Sequence, residues 1–149
     1  MAEMLEMVKK RDVLLAIILR NNYVGDGVNF ITPGEYSQQV AYMHHPKGKE
    51  IDAHLHNSIH RNVIMTQEVL FIKSGKLRVD FYDAYREYLE SRVLEAGDTI
   101  LLVSGGHGFV VLEDVEMIEV KQGPYAKEDD KVRFERASDN QIVIKESEC

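Results

Sequence analysis

Hydrophobic and polar positions alternate along much of this chain with a period of two, the signature of half-buried β-strands. In residues 51–56, Ile51, Ala53 and Leu55 fall on one face and Asp52, His54 and His56 on the other. In residues 77–82, Leu77, Val79 and Phe81 make the apolar face. The stretches 13–19 (VLLAIIL), 68–73 (EVLFIK) and 99–103 (TILLV) are apolar on both faces and read as buried strands. Shorter segments at 28–31, 38–44, 63–65, 88–94, 109–112 and 115–121 complete the pattern. Turn residues punctuate it. Ser74–Gly75 predicts a tight hairpin between 68–73 and 77–82, and residues 104–106 (SGG) predict a second. The two hairpins echo one another weakly, as two facing halves would.

The ends of the chain are less regular. Residues 4–10 read as an irregular lead-in, with a short amphipathic helix carrying Met4, Met7 and Val8 as the alternative. Residues 127–131 (KEDDK) are a solvated charge run, and 132–134 and 142–144 predict terminal strands covering a sheet edge. Many short strands, glycine-rich turns and almost no helix predict an all-β sandwich or barrel.

A length of 149 residues suits one domain. We expect that domain over 1–149, with an N-terminal strand extension, a barrel core at about 38–122 and a tail at 126–149. Apolar residues make up 44% of the chain, a globular composition. A net charge of −7 disfavours nucleic-acid binding. The run 13–19 is too short to span a membrane and no cleavage site follows it, so neither a membrane nor a targeting segment is expected. Cys149 is the one cysteine, so no disulfide framework exists, and a cytoplasmic location is expected.

The candidate chemistry is concentrated in three places. His54 and His56, two apart on a strand, put both imidazoles on one face, where one ion can take both nitrogens. Glu68 opens an apolar strand, where a carboxylate is costly unless it is paired or coordinated. His107 sits between Gly106 and Gly108, small neighbours that let the backbone approach a cavity. Taken singly, each also reads as an ordinary strand or turn residue.

Together these residues resemble the two-part signature of the cupin superfamily, in particular its small single-domain metal-binding members of bacterial type. The first part is a His-x-His, a Glu, six residues and a Gly, matched by His54, His56, Glu68 and Gly75. The second part is matched by Gly97, Gly105 and His107, with Val103 where the family has a proline and Val111 near its later asparagine. Eleven residues separate His56 from Glu68, where the family commonly has three or four, which makes His60 a substitute ligand candidate. The resemblance spans roughly residues 48–120. It implies a double-stranded β-helix (a jelly-roll barrel) with His54, His56, Glu68 and His107 around a divalent transition metal ion: Zn, Fe, Ni or Mn.

A small polar molecule is the expected partner. Candidate substrate contacts are Arg61, Tyr42 and Arg78, with Lys121 among the further ones, and an arginine at 61 can grip a carboxylate or phosphate with two parallel hydrogen bonds. His60 and Tyr82 are candidate catalytic bases. The function the resemblance implies first is a metal-dependent isomerase or epimerase of sugar phosphates or nucleotide sugars. The alternatives are a non-enzymatic small-ligand binding module and a non-haem iron dioxygenase. A homodimer is expected, with Val13–Leu19 as the strand that crosses to the partner.

Overall fold

A computed structural model describes residues 4–146; Cys149, the only thiol, lies outside the described residues. The protein is mostly β, with 45% of residues in strands and almost no helix. The strands are β1 Leu5–Lys10, β2 Val13–Leu19, β3 Gly27–Phe30, β4 Ala41–His44, β5 Glu68–Tyr82, β6 Tyr88–Glu95, β7 Thr99–Leu102 and β8 Gly106–Lys121. The chain divides into two compact units, Met1–Tyr23 with Thr66–Cys149, and Val24–Met65. Among the described residues no helix is long and apolar enough to cross a membrane.

The larger unit is a curled antiparallel half-barrel sheet in the order β1-β2-β7-β5-β6, with β8 on the other side of β5. Residues 5–10 form a strand and not the irregular lead-in or helical turn expected. Lys10 pairs with Val13 across a two-residue loop in which Arg11 has φ 55°. The edge of the strongly apolar β2 captures this weak strand and buries Val8 completely. With β1 on one side and β7 against Ala16–Leu19 on the other, β2 is paired within its own sheet.

Neither predicted hairpin forms: Ser74–Gly75 lies within a strand, and β7 and β8, on either side of the break at 103–105, each pair with β5. β5 runs through Ser74–Gly75 as one strand of 15 residues, and β8 is likewise one strand of 16. Glu68–Phe71 of β5 pairs with β7, Lys76–Tyr82 pairs with β6, and β8 follows β5 along its whole length. Gly75 does adopt a positive φ (82°), but it uses it for a bulge and not for a reversal. The register against β8 slips there, and a Cβ on Gly75 would lie 1.9 Å from the Asp114 carbonyl oxygen. The ribbon therefore bends where the two backbones press together.

The curl brings the ends of the sheet path together. Glu6 of β1 takes Arg20 at 2.6 Å and Arg92 of β6 at 2.8 Å, and Arg92 also holds Glu90 at 2.8 Å. Lys10 of β1 reaches Asp83 and Glu87 in the β5–β6 turn. Inside lie Val8, Leu15, Ile18, Leu70, Ile72, Leu77, Val79, Phe81, Leu94, Ile100 and Leu102.

Of the expected tail strands, 142–144 does cover an edge: Ile144 bridges Ser91 in parallel, and the Ser91 N–H donates to the Val143 carbonyl at 2.9 Å. Residues 132–134 are irregular.

The smaller unit carries the β3–β4 hairpin. Its loop is closed by the Val40 N–H, which donates to Thr32 Oγ1, and by Gln39 Nε2, which donates to the Pro33 and Tyr36 carbonyls. Residues 45–67 contain no strand, so the strands expected at 51–56 and 63–65 are not formed. Alternation specifies which face a strand would bury, but a strand also needs a neighbour for its backbone groups. Every residue from 46 to 66 is exposed.

Candidate functional site

Glu68 is the first residue of β5. By alternation it shares the face of Leu70 and Ile72, the core face, and its side chain is only 13% exposed. His107 is the second residue of β8. It stands directly opposite Phe81, so it shares the core face at the far end of the same ribbon. The bend at Gly75 folds the ribbon until Glu68 Oε2 and His107 Nε2 lie 3.4 Å apart.

The start of β8 is held tightly. Gly105 has φ 71°, and a Cβ there would meet the Tyr82 carbonyl oxygen at 2.4 Å. No larger residue fits the step that sets His107 in place. The His107 ring lies beside Phe109, with centroids 5.4 Å apart.

Lys121, directly opposite Glu68, places its Nζ 4.0 Å from Glu68, 3.6 Å from Glu119 and 3.8 Å from Asp130. The His107 hydrogen bond holds the Glu68 carboxyl below its ordinary value; burial opposes this, and the charges of His107 and Lys121 reinforce it. Burial works against the Lys121 ammonium, but Glu119, Glu68 and Asp130 outweigh it and raise its pKa. Gln67, next to Glu68, is buried, and its Oε1 has no hydrogen-bond partner among the described residues. A buried acceptor left open costs free energy unless a donor reaches it. A glutamine ahead of a strand carries no signal in sequence, so Gln67 was not anticipated; Lys121 was anticipated only as a substrate contact.

The other predicted residues are placed as follows. His54 and His56 lie in the smaller unit, exposed, with ring centroids 5.4 Å apart, and His54 Nδ1 is 2.9 Å from the Asp52 carbonyl. His60 and Arg61 are exposed in the same irregular stretch. Tyr42 lies in β4, opposite Asn29. Arg78 makes two hydrogen bonds to Asp80, on the opposite face of β5 from Leu77 and Val79. Tyr82 is 2% exposed, and its hydroxyl accepts the Ala137 N–H at 2.8 Å. Thus Glu68 meets His107, and His54 meets His56, each pair within its own unit.

Among the described residues no group of three or more His, Cys, Asp or Glu side chains is gathered around one point. The Glu68–His107 pair nevertheless fits a metal as two of its ligands. Ligands each about 2.1 Å from one ion at a tetrahedral angle lie about 3.4 Å from each other. Carboxylate oxygen and imidazole nitrogen also suit the transition metals the sequence implies.

What the fold and site define is an all-β protein with a curled sheet and a carboxylate–imidazole pair on its concave side. No family model, curated protein or solved structure matches this chain.

Proposed function

We propose that the protein is a metal-dependent enzyme of cupin type acting on a small polar metabolite. The observation that carries this reading is the meeting of Glu68 and His107 at 3.4 Å on the core face of a bent ribbon. A hydrophobic barrel spends polar groups on its concave side at a cost, and convergent polar groups of this kind mark working sites.

In this reading Glu68 and His107 supply two ligands, and the sequence nominates His54 and His56 as the other two. A bound metal supplies Lewis acidity, polarising a substrate carbonyl or lowering the pKa of bound water. The chain's own residues do the rest. Glu68, held below the ordinary carboxylate range, is anionic at neutral pH. Lys121 balances its charge, and the open acceptor of Gln67 offers a place for a substrate hydroxyl or amide donor. Sugar phosphates and nucleotide sugars are the first classes to screen, for isomerisation or epimerisation.

The test is elemental analysis of protein purified without added metal, alongside Glu68→Ala, His107→Ala and His56→Ala. We expect roughly one metal per chain, sharply reduced in each variant. Full metal content in Glu68→Ala, with loss in His60→Ala, would replace Glu68 by His60.

A second reading rests on Lys121. Its approach to 4.0 Å gives Glu68 a cationic partner without any metal, and the Glu68–His107 pair then moves protons by itself. Turnover that survives exhaustive chelation would favour it.

A further inference from the structure

Five residues of the C-terminal tail run from the flank of Glu68 to the flank of His107. Asp130 stands at the first flank. Its Oδ1 accepts a hydrogen bond from the hydroxyl of Thr66, two residues before Glu68, at 3.0 Å. Its Oδ2 lies 3.8 Å from the Nζ of Lys121, the residue directly opposite Glu68. Phe134 stands at the second flank. A Cβ on Gly106, the residue before His107, would lie 2.8 Å from the tip of the Phe134 ring. The ring thus occupies the space that a side chain at 106 would need. The same ring packs edge-on against Tyr82, the partner of Gly106 across the ribbon, with centroids 5.0 Å apart. All of these residues belong to the larger unit.

The shortness of this crossing gives it mechanical weight. Four Cα–Cα steps reach about 14 Å when fully extended. The flat ribbon would be about 50 Å long. Both anchors can therefore hold only while the ribbon stays bent and its ends stay close. Opening the ribbon has to release one of them.

We propose that residues 130–134 are a strap that keeps Glu68 and His107 in register, with Asp130 and Phe134 as positioning residues of the pair. The bend at Gly75 brings the ends together, and the strap keeps them there. The two anchors are unequal. Phe134 is half-buried, and the tail beyond it is fixed by the buried Ala137 N–H on the Tyr82 hydroxyl and by Val143 and Lys145 on the backbone of Ser91. Asp130 is held to Thr66 and Lys121 by side chains alone, and the Thr66 bond is exposed to water. Exposed polar contacts of this kind hold weakly. The strap therefore lets go at Asp130 first, which loosens the Glu68 end and leaves His107 in place.

Two measurements test this, the first without any metal. Proton–nitrogen correlation spectra of the histidine rings report on His107, assigned with His107→Ala, and Glu68→Ala gives the signal of the unpaired ring. We expect the His107 signals of Asp130→Ala and of Phe134→Ala to move toward that position. Thr66→Val should move them the same way without changing any charge, and Phe134→Leu should restore most of the wild-type position. A strap cut at one anchor holds nothing at the other, so the double variant Asp130→Ala/Phe134→Ala should move them no further than the larger single change. Unmoved signals in both single variants, or shifts that add in the double variant, overturn the strap. Should Phe134→Ala not fold, the surface changes at Asp130 and Thr66 decide, and His107 signals unmoved in both overturn it.

The second measurement rests on the metal-centre reading and titrates zinc alone. We expect Phe134→Ala to bind zinc about tenfold more weakly than the wild type, as loss of a group that orients a metal ligand does. Phe134→Leu should stay close to the wild type. Equal affinities for Phe134→Ala and the wild type overturn the positioning role. If the wild type itself binds no zinc, the metal-centre reading fails, and the ring spectra still decide the strap.

Discussion

Glu68 and His107 stand at opposite ends of one two-stranded ribbon and still meet at 3.4 Å. Glu68 pairs with Lys121 at one end, and His107 pairs with Phe81 at the other. Laid flat, the 15 residues of β5 would span about 50 Å. The contact therefore exists only because the ribbon is bent, and the bend is a property of the backbone at Gly75. The Glu68–His107 contact is thus coupled to a glycine remote from both side chains in sequence.

Gly75→Ala tests that coupling. The added Cβ meets the Asp114 carbonyl oxygen at 1.9 Å and must sit at φ 82°, so the ribbon has to open. We expect a loss of about 3 kcal/mol or more in chemical denaturation. Gly48→Ala is the control: it has φ 88° but nothing within 4 Å. Its cost is limited to about 1–2 kcal/mol from the dihedral alone. Equal losses in the two variants would mean that the close approach at Gly75 does not matter.

Glu68 makes the pH dependence of stability predictable in sign. Its folded pKa lies below its ordinary value of 4.5, chiefly because of the His107 hydrogen bond. The folded state therefore binds the proton less readily than the unfolded state. The stabilisation is fully present above pH 4.5 and is lost as pH falls through the lower folded value. Denaturation midpoints of wild type and Glu68→Gln, followed from pH 7 down to pH 3, should converge on the acid side. A constant difference across that range would show that the ionised carboxylate contributes nothing.

Much of the barrel was legible in sequence because its strands carry their own signal. The branched run of Val13–Leu19 favours a buried strand over a helix, as does the apolar stretch Thr99–Leu102, and both form strands. β1 was not legible: it holds two lysines and forms because β2 offers an edge. The hairpin at Ser74–Gly75 failed for a different reason. A glycine at positive φ serves a bulge as readily as a turn, and only the partner strand decides which. At the site, Glu68 and His107 were identifiable from their spacing and surroundings, whereas Gln67 became visible only through its buried, unpartnered oxygen. The alternation that put Leu77, Val79 and Phe81 inside also puts Arg78 and Asp80 on the other face, where Arg78 is engaged by Asp80.

The ion pairs joining β1 to β6 should matter for stability in proportion to their burial. Arg20 sits between Glu6 and Asp98, both almost fully buried, and donates to the Val93 carbonyl at 2.7 Å. Arg20→Leu leaves buried Asp98 without its cation and Glu6 with Arg92 alone, and we expect it to cost about 3–5 kcal/mol. Lys10→Met removes an accessible lysine from Asp83 and Glu87, and its denaturation midpoint should barely move. If the two substitutions cost the same, burial is not what gives the network its weight.

Tyr82→Phe separates a catalytic tyrosine from one that holds the tail. The Tyr82 hydroxyl accepts the Ala137 N–H, and its ring packs edge-on against Phe134 and Tyr88. Ala137 is itself buried, so removing the hydroxyl leaves a buried donor without its partner. That costs about 1–3 kcal/mol. We expect a lower melting temperature and faster amide exchange at Ala137, with kcat for any substrate found left close to wild type. Tyr82 is 2% exposed and alternates with Phe81, the residue opposite His107, so its ring leaves β5 on the other face from the one where Glu68 and His107 meet. A fall in kcat at unchanged stability would reverse that assignment and return Tyr82 to the reaction.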